Sequence, residues 1–490
     1  MLRYLLSDRN VKMSMSRPLP SRPLPSLEHV AKGASIPESV WSPRLWRLTL
    51  GLILITLGPA FEGLAVATIL PRIVANLGGL SFYGWSFSAY MLATLVGIIL
   101  AGDEADRRGP ALPFMIGVAL FVLGLVLAGV ASSMIMFVLS RGVQGLGAGI
   151  IASVTYVCVG RGYPEEVKPR MLAVLSSAWI VPGLIGPALS GIVADFVGWR
   201  WVFLGLIPVL PLAAGMVLPA LRKLTPSLTS GSFDPRRLLA TAGLVSGAGM
   251  TLTGLQVPSL PLATVLILLG LVLGIPSLRH LLPPGTLRAK AGMPAAIATI
   301  GFLSLAYFGG EAFLPLTLIS IRGQSTLLAG IVLTAATLGW SAGSWLQAKL
   351  APRQGRRLLV TAGLLLVALG LAGIASVLIP GIPVAVASLA WGVAGLGMGL
   401  SYSTLNLVVL ETASADQQGT ASASMELSSV LGAALGTGLG GVIIGFAAMA
   451  GSSPSAGISV VDLIVIAVTG LAILTAMRLP GRPSRAMTHG

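Results

Sequence analysis

Three ionisable residues stand inside long apolar stretches of this chain: Glu62, Arg141 and Glu311. A charge near the middle of a membrane helix costs about 2.5–3.5 kcal/mol on insertion scales, so each is a candidate for function. Burial disfavours the ionised form of a carboxyl group, whereas a bound cation favours it. The two glutamates therefore suit the exchange of protons for a cationic substrate. Arg141 keeps its charge and suits the tuning of a nearby carboxylate.

Each of these residues also has a structural interpretation. The Glu311 carboxylate would accept hydrogen bonds from backbone near Gly309 and Gly310, and Arg141 would extend to the membrane surface. Glu411 and Glu426 fall near predicted helix ends, where we expect them to act only as caps. The rarity of intramembrane charges favours function for Glu62, Glu311 and Arg141.

An internal repeat predicts where these residues lie. The sequence RGVQGLGAG at 141–149 returns as WGVAGLGMG at 391–399, and GPALSG at 186–191 returns as GTGLGG at 436–441. Both pairs are 250 positions apart, and such repeats are typical of transporters with a central site. Glu62 and Glu311 are 249 positions apart, so we expect them at nearly equivalent places, facing each other across a cavity.

The composition indicates a membrane protein. Hydrophobic residues make up 55% of the chain, charged residues make up 10%, and the mean hydropathy is +0.91. We predict an all-α polytopic protein of about 14 transmembrane helices. The predicted spans are 46–71, 82–102, 111–130, 134–159, 171–194, 201–221, 237–256, 260–278, 295–319, 327–348, 358–379, 383–410, 422–448 and 459–477.

The basic residues support this topology and exclude a nucleic-acid surface, because the net charge of +15 is spread along the chain. With both termini in the cytoplasm, the outer loops hold only Arg72, Arg200 and Arg322, as the positive-inside rule requires. Residues 1–45 carry the doubled sequence SRPLPSRPLP and no apolar signal-peptide core. We expect the following segments: 1–45 disordered basic cytoplasmic tail, 46–221 six-helix bundle, 222–236 cytoplasmic linker, 237–280 two additional helices, 281–478 second six-helix bundle and 479–490 cytoplasmic tail.

Several motifs in order resemble those of the major facilitator superfamily, fourteen-helix drug:proton antiporter type. They are FEGLAVATILP at 61–71, GDEADRRG at 102–109, RGVQGLGAG at 141–149, PGLIGPALSG at 182–191 and GWRWVF at 198–203. The resemblance covers Trp46 to about Arg478. It implies a gating motif of Gly102, Asp106, Arg107 and Gly109, a helix-four motif of Arg141, Gln144 and Gly145, and an antiporter motif of Pro182, Gly186, Pro187 and Gly191.

The chain departs from the family pattern in places. Glu62 stands where Asp is more frequent, Pro182 stands where Gly is usual, and Pro110 follows the gating motif. The second copy of that motif, LAPRQGRR at 350–357, has Pro352 in place of the acid. Only Asp106 can therefore pair across the half interface in one state and release in the other. The resemblance implies a place for Arg141 in a proton relay. Glu62 and Glu311 are the candidate coupling carboxylates because they lie inside apolar spans.

The expected function is proton-coupled export of lipophilic or amphipathic, often cationic, compounds by alternating access. Tyr90, Trp179 and Tyr307 are candidates to line the substrate cavity through stacking. A lipid or siderophore exporter and a proton-coupled uptake carrier are alternatives of the same fold, and a membrane-embedded lipid-processing enzyme is the alternative of another class. We expect no cofactor and no metal, because no phosphate-binding loop or metal-ligand spacing occurs. The expected protein is a monomer in the bacterial inner membrane, with small molecules, protons and lipid as its partners.

Overall fold

The computed structural model describes residues 39–224, 235–413 and 418–481, without the side chains of Asp103, Asp106, Gln418 and Gly419. Within these ranges the secondary structure is helical. Most of the expected tails and part of the 222–236 linker lie outside the described residues. The helices are α1 (Trp46–Leu77), α2 (Trp85–Arg108), α3 (Ala111–Gly129), α4 (Met134–Gly162), α5 (Lys168–Ser177), α6 (Ile180–Phe196), α7 (Arg200–Leu204), α8 (Val209–Leu221), α9 (Pro235–Gly254), α10 (Leu260–Leu281), α11 (Met293–Leu316), α12 (Thr326–Leu350), α13 (Arg356–Ser376), α14 (Ala385–Thr412), α15 (Gln418–Met449) and α16 (Pro454–Ala476).

Thirteen spans in the described residues are long and apolar enough to cross a membrane, with α5–α6 and α7–α8 each forming one span. The remaining predicted span, 237–256, corresponds to α9, which is absent from that set. Its 20 residues reach about 30 Å, the thickness of a bilayer core. Helix α9 packs closely on α10, because Gly247 lies against the backbone of Gly270 and Gly274. The all-helical polytopic fold that the sequence predicts is therefore confirmed.

The helices run alternately between two faces. We call the side where α1 begins the N face and the side where α1 ends the far face. Helix α16 ends on the N face, where Arg478 Nη1 donates to the carbonyls of Arg288 and Ala289 at 2.6 and 3.1 Å. On the far face, Arg72 of α1 forms an ion pair with Asp195 of α6. Arg72 also donates from Nε to Thr326 Oγ1 of α12 at 2.6 Å, so it links both repeats.

The two repeats pack their glycines alike but in a shifted register. Gly149 of α4 lies against the backbone of Thr94, and Gly399 of α14 lies against that of Trp340. The glycines are 250 positions apart, whereas Thr94 and Trp340 are 246 apart. The difference of four residues arises in the connection before α14, which runs over 377–384 where the first copy has 130–133. Arg322 orders this longer loop by donating to three of its carbonyls.

The two repeats meet through two equivalent helix pairs, α2 with α15 and α12 with α6. Gly84 of α2 lies against the carbonyl of Thr437, and Gly330 of α12 lies against the carbonyl of Pro187. A side chain on either glycine would overlap that backbone, so the small residues permit the close approach. Both contacts lie toward the far face.

Candidate coupling and substrate site

Arg141 lies at the centre of the first repeat and is 1% exposed, as is Glu62. Its Nη1 forms an ion pair with Glu62 Oε1 and donates to Gln144 Oε1 at 2.7 Å. Its Nε donates to the carbonyl of Ser86 at 3.0 Å, and its guanidinium lies 4.3 Å from the centroid of the Tyr90 ring. Burying a charge is costly unless it is paired and hydrogen-bonded, and this cluster supplies both kinds of contact.

Glycines bring the helices of this cluster together. Gly145, one helical turn after Arg141, lies against the carbonyl of Tyr90, and a Cβ there would overlap that backbone. Gly124 of α3 lies in the same way against Gln144. The close approach of α2, α3 and α4 leaves little room, so the long Arg141 side chain is directed toward α1 and Glu62.

Two polar atoms of the cluster have no hydrogen-bond partner in the described part of the chain: Glu62 Oε2 and Gln144 Nε2. A buried acceptor without a donor is costly. A proton on Oε2 would neutralise the carboxylate and weaken its attraction to Arg141. The cluster therefore offers a site where one proton changes the strength of a contact between α1 and α4.

The second repeat replaces this ion pair with stacked rings. Trp391, which stands 250 positions after Arg141, stacks on Tyr307 with centroids 5.0 Å apart. Tyr307 also meets Trp340 edge-on at 5.8 Å, and Trp340 meets Tyr402 at 5.9 Å. We call Tyr307, Trp340, Trp391 and Tyr402 the aromatic cluster. Tyr307 and Trp391 are buried, whereas Trp340 and Tyr402 are partly exposed, and partly exposed rings can stack on flat molecules and attract cations.

The prediction that Glu62 and Glu311 occupy equivalent places is wrong. Arg141 contacts Glu62, whereas its counterpart Trp391 contacts Tyr307, so Tyr307 corresponds to Glu62. Glu311 lies one helical turn farther along α11. Helix α11 precedes the loop at 377–384, so the offset between α1 and α11 does not include the four extra residues of that loop and is shorter than 250. Glu311 is partly exposed, and it has no ion-pair partner among the described residues.

Glu426 also differs from expectation. Helix α15 begins at Gln418, so Glu426 lies two turns inside the helix and does not cap it. Its side chain is exposed and lies within electrostatic range of Tyr156 and Tyr402. Glu426 is therefore a carboxylate on the wall of an accessible space beside the aromatic cluster. The sequence did not show this, because Glu426 lies close to the predicted start of span 422–448 and was therefore interpreted as a helix cap.

One buried carboxylate was missed altogether by sequence reasoning. Asp462 lies inside α16, where its side chain is 5% exposed and its Oδ2 has no partner in the described residues. An acid in the apolar segment 459–477 is the signal that would have found it.

The gating motif lies at the N face. Gly109 ends α2 with φ 86°, a conformation that favours glycine. Gly102 packs near Ser153, and Arg107 is exposed. The Asp106 side chain lies outside the described residues.

In the second copy of this motif, Arg356 is bound to Glu411. Arg356 Nη2 and Nε lie 2.7 and 3.3 Å from the two carboxylate oxygens of Glu411 at the end of α14. Arg356 Nη1 also donates to the carbonyl of Ala351. Glu411 thus joins α14 to α13, a role that differs from the expected cap.

The antiporter motif forms the contact between α6 and α12. Gly191 lies against Leu327, and the carbonyl of Pro187 lies against Gly330. Pro182 is buried, and Gly186 faces the ring of Phe61. Pro187 and Gly191 therefore lie at the interface between the repeats, whereas Gly186 packs on α1 within the first repeat.

The three aromatic residues expected to line a cavity have different surroundings. Tyr307 is 1% exposed within the aromatic cluster, and Tyr90 lies beneath the Arg141 guanidinium. Trp179 is 55% exposed at the break between α5 and α6. The structure brings together Glu62, Arg141, Gln144 and Tyr90, and it places Trp179 on an exposed surface.

The model of the Major Facilitator Superfamily matches residues 50–437. The chain belongs to the Major Facilitator Superfamily. It is therefore a multi-pass membrane transporter and not an enzyme.

Named relatives agree with this assignment. The chain is 26% identical over 413 residues to the multidrug transporter protein MdtP of Bacillus subtilis, covering 81% of this chain and 75% of that protein. It is 29% identical over 419 residues to the multidrug resistance protein B homolog of Mycobacterium tuberculosis, covering 81% and 76%. The chain spans only 56% of the length of another Mycobacterium tuberculosis relative, an uncharacterized MFS-type transporter.

Solved structures share the fold. A bacterial homolog of the human lysosomal transporter Spinster, in an inward-facing and unoccupied conformation, matches with a TM-score of 0.60 at 18% identity, covering 91% of this chain and 100% of that one. A POT family transporter in complex with 5-aminolevulinic acid matches with a TM-score of 0.63 at 15% identity, covering 88% and 96%.

Proposed function

We propose that this protein exports lipophilic or amphipathic, often cationic, compounds in exchange for protons. The observation that carries the proposal is the buried contact of Arg141 with Glu62, which gives the membrane interior a carboxylate that a proton can neutralise. The relatives named as multidrug transporters support the substrate class.

Alternating access would use the two repeats as moving halves, 46–221 and 281–478, with 237–280 as an additional pair of helices. The equivalent contacts of α2 with α15 and α12 with α6 favour a hinge-like motion between the halves. We place the N face and both termini in the cytoplasm, since the basic loops lie there. The far-face contacts of Arg72 would then hold the outer side closed.

Proton coupling would work through the strength of the Arg141 contact. With Glu62 ionised, α1 and α4 are held together by an ion pair. A proton on Glu62 weakens that attraction and leaves Arg141 held by Gln144 and the carbonyl of Ser86. Helices α1 and α4 belong to the same half. A weaker contact between them would change how that half packs against the other half.

Substrate cations would bind in the second half. Glu311 lacks an arginine partner within the described residues, and the aromatic cluster lies one helical turn away. A carboxylate beside aromatic rings suits a flat cation through charge attraction and stacking. Glu426 supplies a second carboxylate on the accessible wall near Tyr402.

The test uses the full chain in proteoliposomes with an imposed pH gradient and a panel of compounds. The panel includes lipophilic cations, neutral amphipaths, lipids and siderophores. We expect uphill movement of cations against proton flow. Transport that ignores the pH gradient would contradict proton coupling, and transport in the direction of the protons would identify an uptake carrier.

A further inference from the structure

A cleft of about 300 Å³ opens between α2 and α15, and the additional helices α9 and α10 form its outer wall. Apolar side chains from α2, α10 and α15 line it: Leu95, Ile98, Ile99, Leu281 and Leu427. Its polar lining is Arg237 of α9, His280 of α10, and Thr420, Ser424 and Glu426 of α15. The cleft does not include Glu62 or Arg141, but it shares Glu426 with the wall proposed above for substrate cations.

The charges in this cleft are ordered along its length. Arg237 is the third residue of α9, and His280 is the next to last residue of α10, so both lie at the N-face ends of their helices. Thr420 lies at the same end of α15. Glu426 is six residues farther along, which places it about 9 Å deeper. The cleft is therefore cationic at the membrane surface and acidic at depth.

We propose that this cleft binds one anionic phospholipid of the adjacent leaflet. Its phosphate would contact Arg237 and His280 at headgroup depth, and the Thr420 hydroxyl would donate a hydrogen bond to an ester oxygen of the glycerol region. Ser424 Oγ itself donates to the carbonyl of Thr420. An acyl chain would lie along the apolar wall. Basic side chains near a membrane surface attract anionic lipids, and the deep Glu426 repels a phosphate that moves inward.

This proposal gives the additional helices a role. Helix α10 is largely exposed to the surroundings. Helix α9 lies on α2 and α15. Near the far face, Trp85 Nε1 of α2 donates to Gln256 Oε1, just after α9, at 3.0 Å. The pair is thus fixed at the far-face end and bounds the cleft at the N-face end. A lipid there would seal the gap between the halves.

The test uses a phosphatidylglycerol that carries a photoreactive group in its acyl chain, with the full chain reconstituted in phosphatidylcholine vesicles. We expect crosslinks to 95–99 and 420–427. Arg237→Gln and His280→Gln should each lower the labelling about fivefold. Arg236→Gln and Arg279→Gln are the controls, because these neighbours are basic residues at the same helix ends but do not line the cleft. All four side chains are exposed, and the melting temperature of each variant is measured before labelling to confirm that it is folded.

Competition identifies the ligand. Unlabelled phosphatidylglycerol should remove the crosslinks, and inorganic phosphate should not. Displacement by inorganic phosphate would show a site for a free anion. Equal losses in the control variants, or equal labelling by a phosphatidylcholine analogue, would also overturn the proposal. None of these outcomes depends on transport activity.

Discussion

Tyr307 stands in the second repeat where Glu62 stands in the first: Glu62 binds Arg141, and Tyr307 stacks on Trp391. One half thus holds an ion pair at the position where the other holds two rings. The halves therefore differ in chemistry although their glycines pack alike. Because of this difference, we assign proton exchange to the first half and substrate recognition to the second half.

The Glu311→Gln variant tests that assignment. Removing the charge should weaken binding of lipophilic cations about tenfold or more, since truncating one partner of a desolvated charge pair costs several kcal/mol. Binding of neutral amphipaths should remain, because the aromatic cluster is intact. Equilibrium binding of a cation and a neutral compound of similar shape measures the difference. An equal loss for both would mean that Glu311 acts through structure.

Gly145→Ala tests the packing that positions Arg141. The new methyl group would overlap the carbonyl of Tyr90, and overpacking of this kind typically costs about 1–3 kcal/mol. We expect a lower melting temperature in detergent. Gly142→Ala is the matched control, because no described atom lies within 4 Å of a Cβ there. Equal melting temperatures for the two variants would contradict the packing argument.

The sequence predicted the helical fold because long apolar spans and repeated glycines are local signals. It also singled out Glu62 and Arg141, since charges in such spans are rare. It misplaced Glu311 because a single offset of 250 was applied across the insertion at 377–384. Glu426 required the true start of α15 and its packing, which depend on contacts between distant parts of the chain. Asp462 could have been found from the sequence, because it is an acid within the apolar segment 459–477.

Arg72→Gln tests the far-face contact between the repeats. The change removes the ion pair to Asp195 and the hydrogen bond to Thr326, so the population should shift toward a form open at that face. Spin labels at Ser132 and Ser452, both exposed, would report a longer distance. Thr326→Val removes only the hydrogen bond and should give a smaller shift. An unchanged distance in both variants would exclude a closing role.

The topology is tested with single introduced cysteines in a Cys158→Ser background. Cys158 is the one cysteine of the sequence and is buried, so its replacement leaves no competing thiol. Arg353→Cys lies on the N face and Ser452→Cys on the far face, and both positions are exposed. An impermeant thiol reagent added to intact cells should label only the cysteine at 452. Labelling at 353 from outside would refute the fourteen-span topology with cytoplasmic termini.

Glu62→Gln tests the coupling site itself. Glutamine keeps nearly the same shape and can still accept a hydrogen bond from Arg141, but it cannot release a proton. We expect uphill export to be abolished while substrate binding survives, because the aromatic cluster and Glu311 lie in the other half. The measurement combines proton release on substrate binding with pH-driven transport in proteoliposomes, and Glu311→Gln serves as the comparison. Because removing one partner of a buried ion pair can unfold a protein, the melting temperature of each variant is measured first. If folded Glu62→Gln protein still releases protons and pumps uphill, the coupling proton resides elsewhere, and Asp462 and Glu426 become the next carboxylates to test.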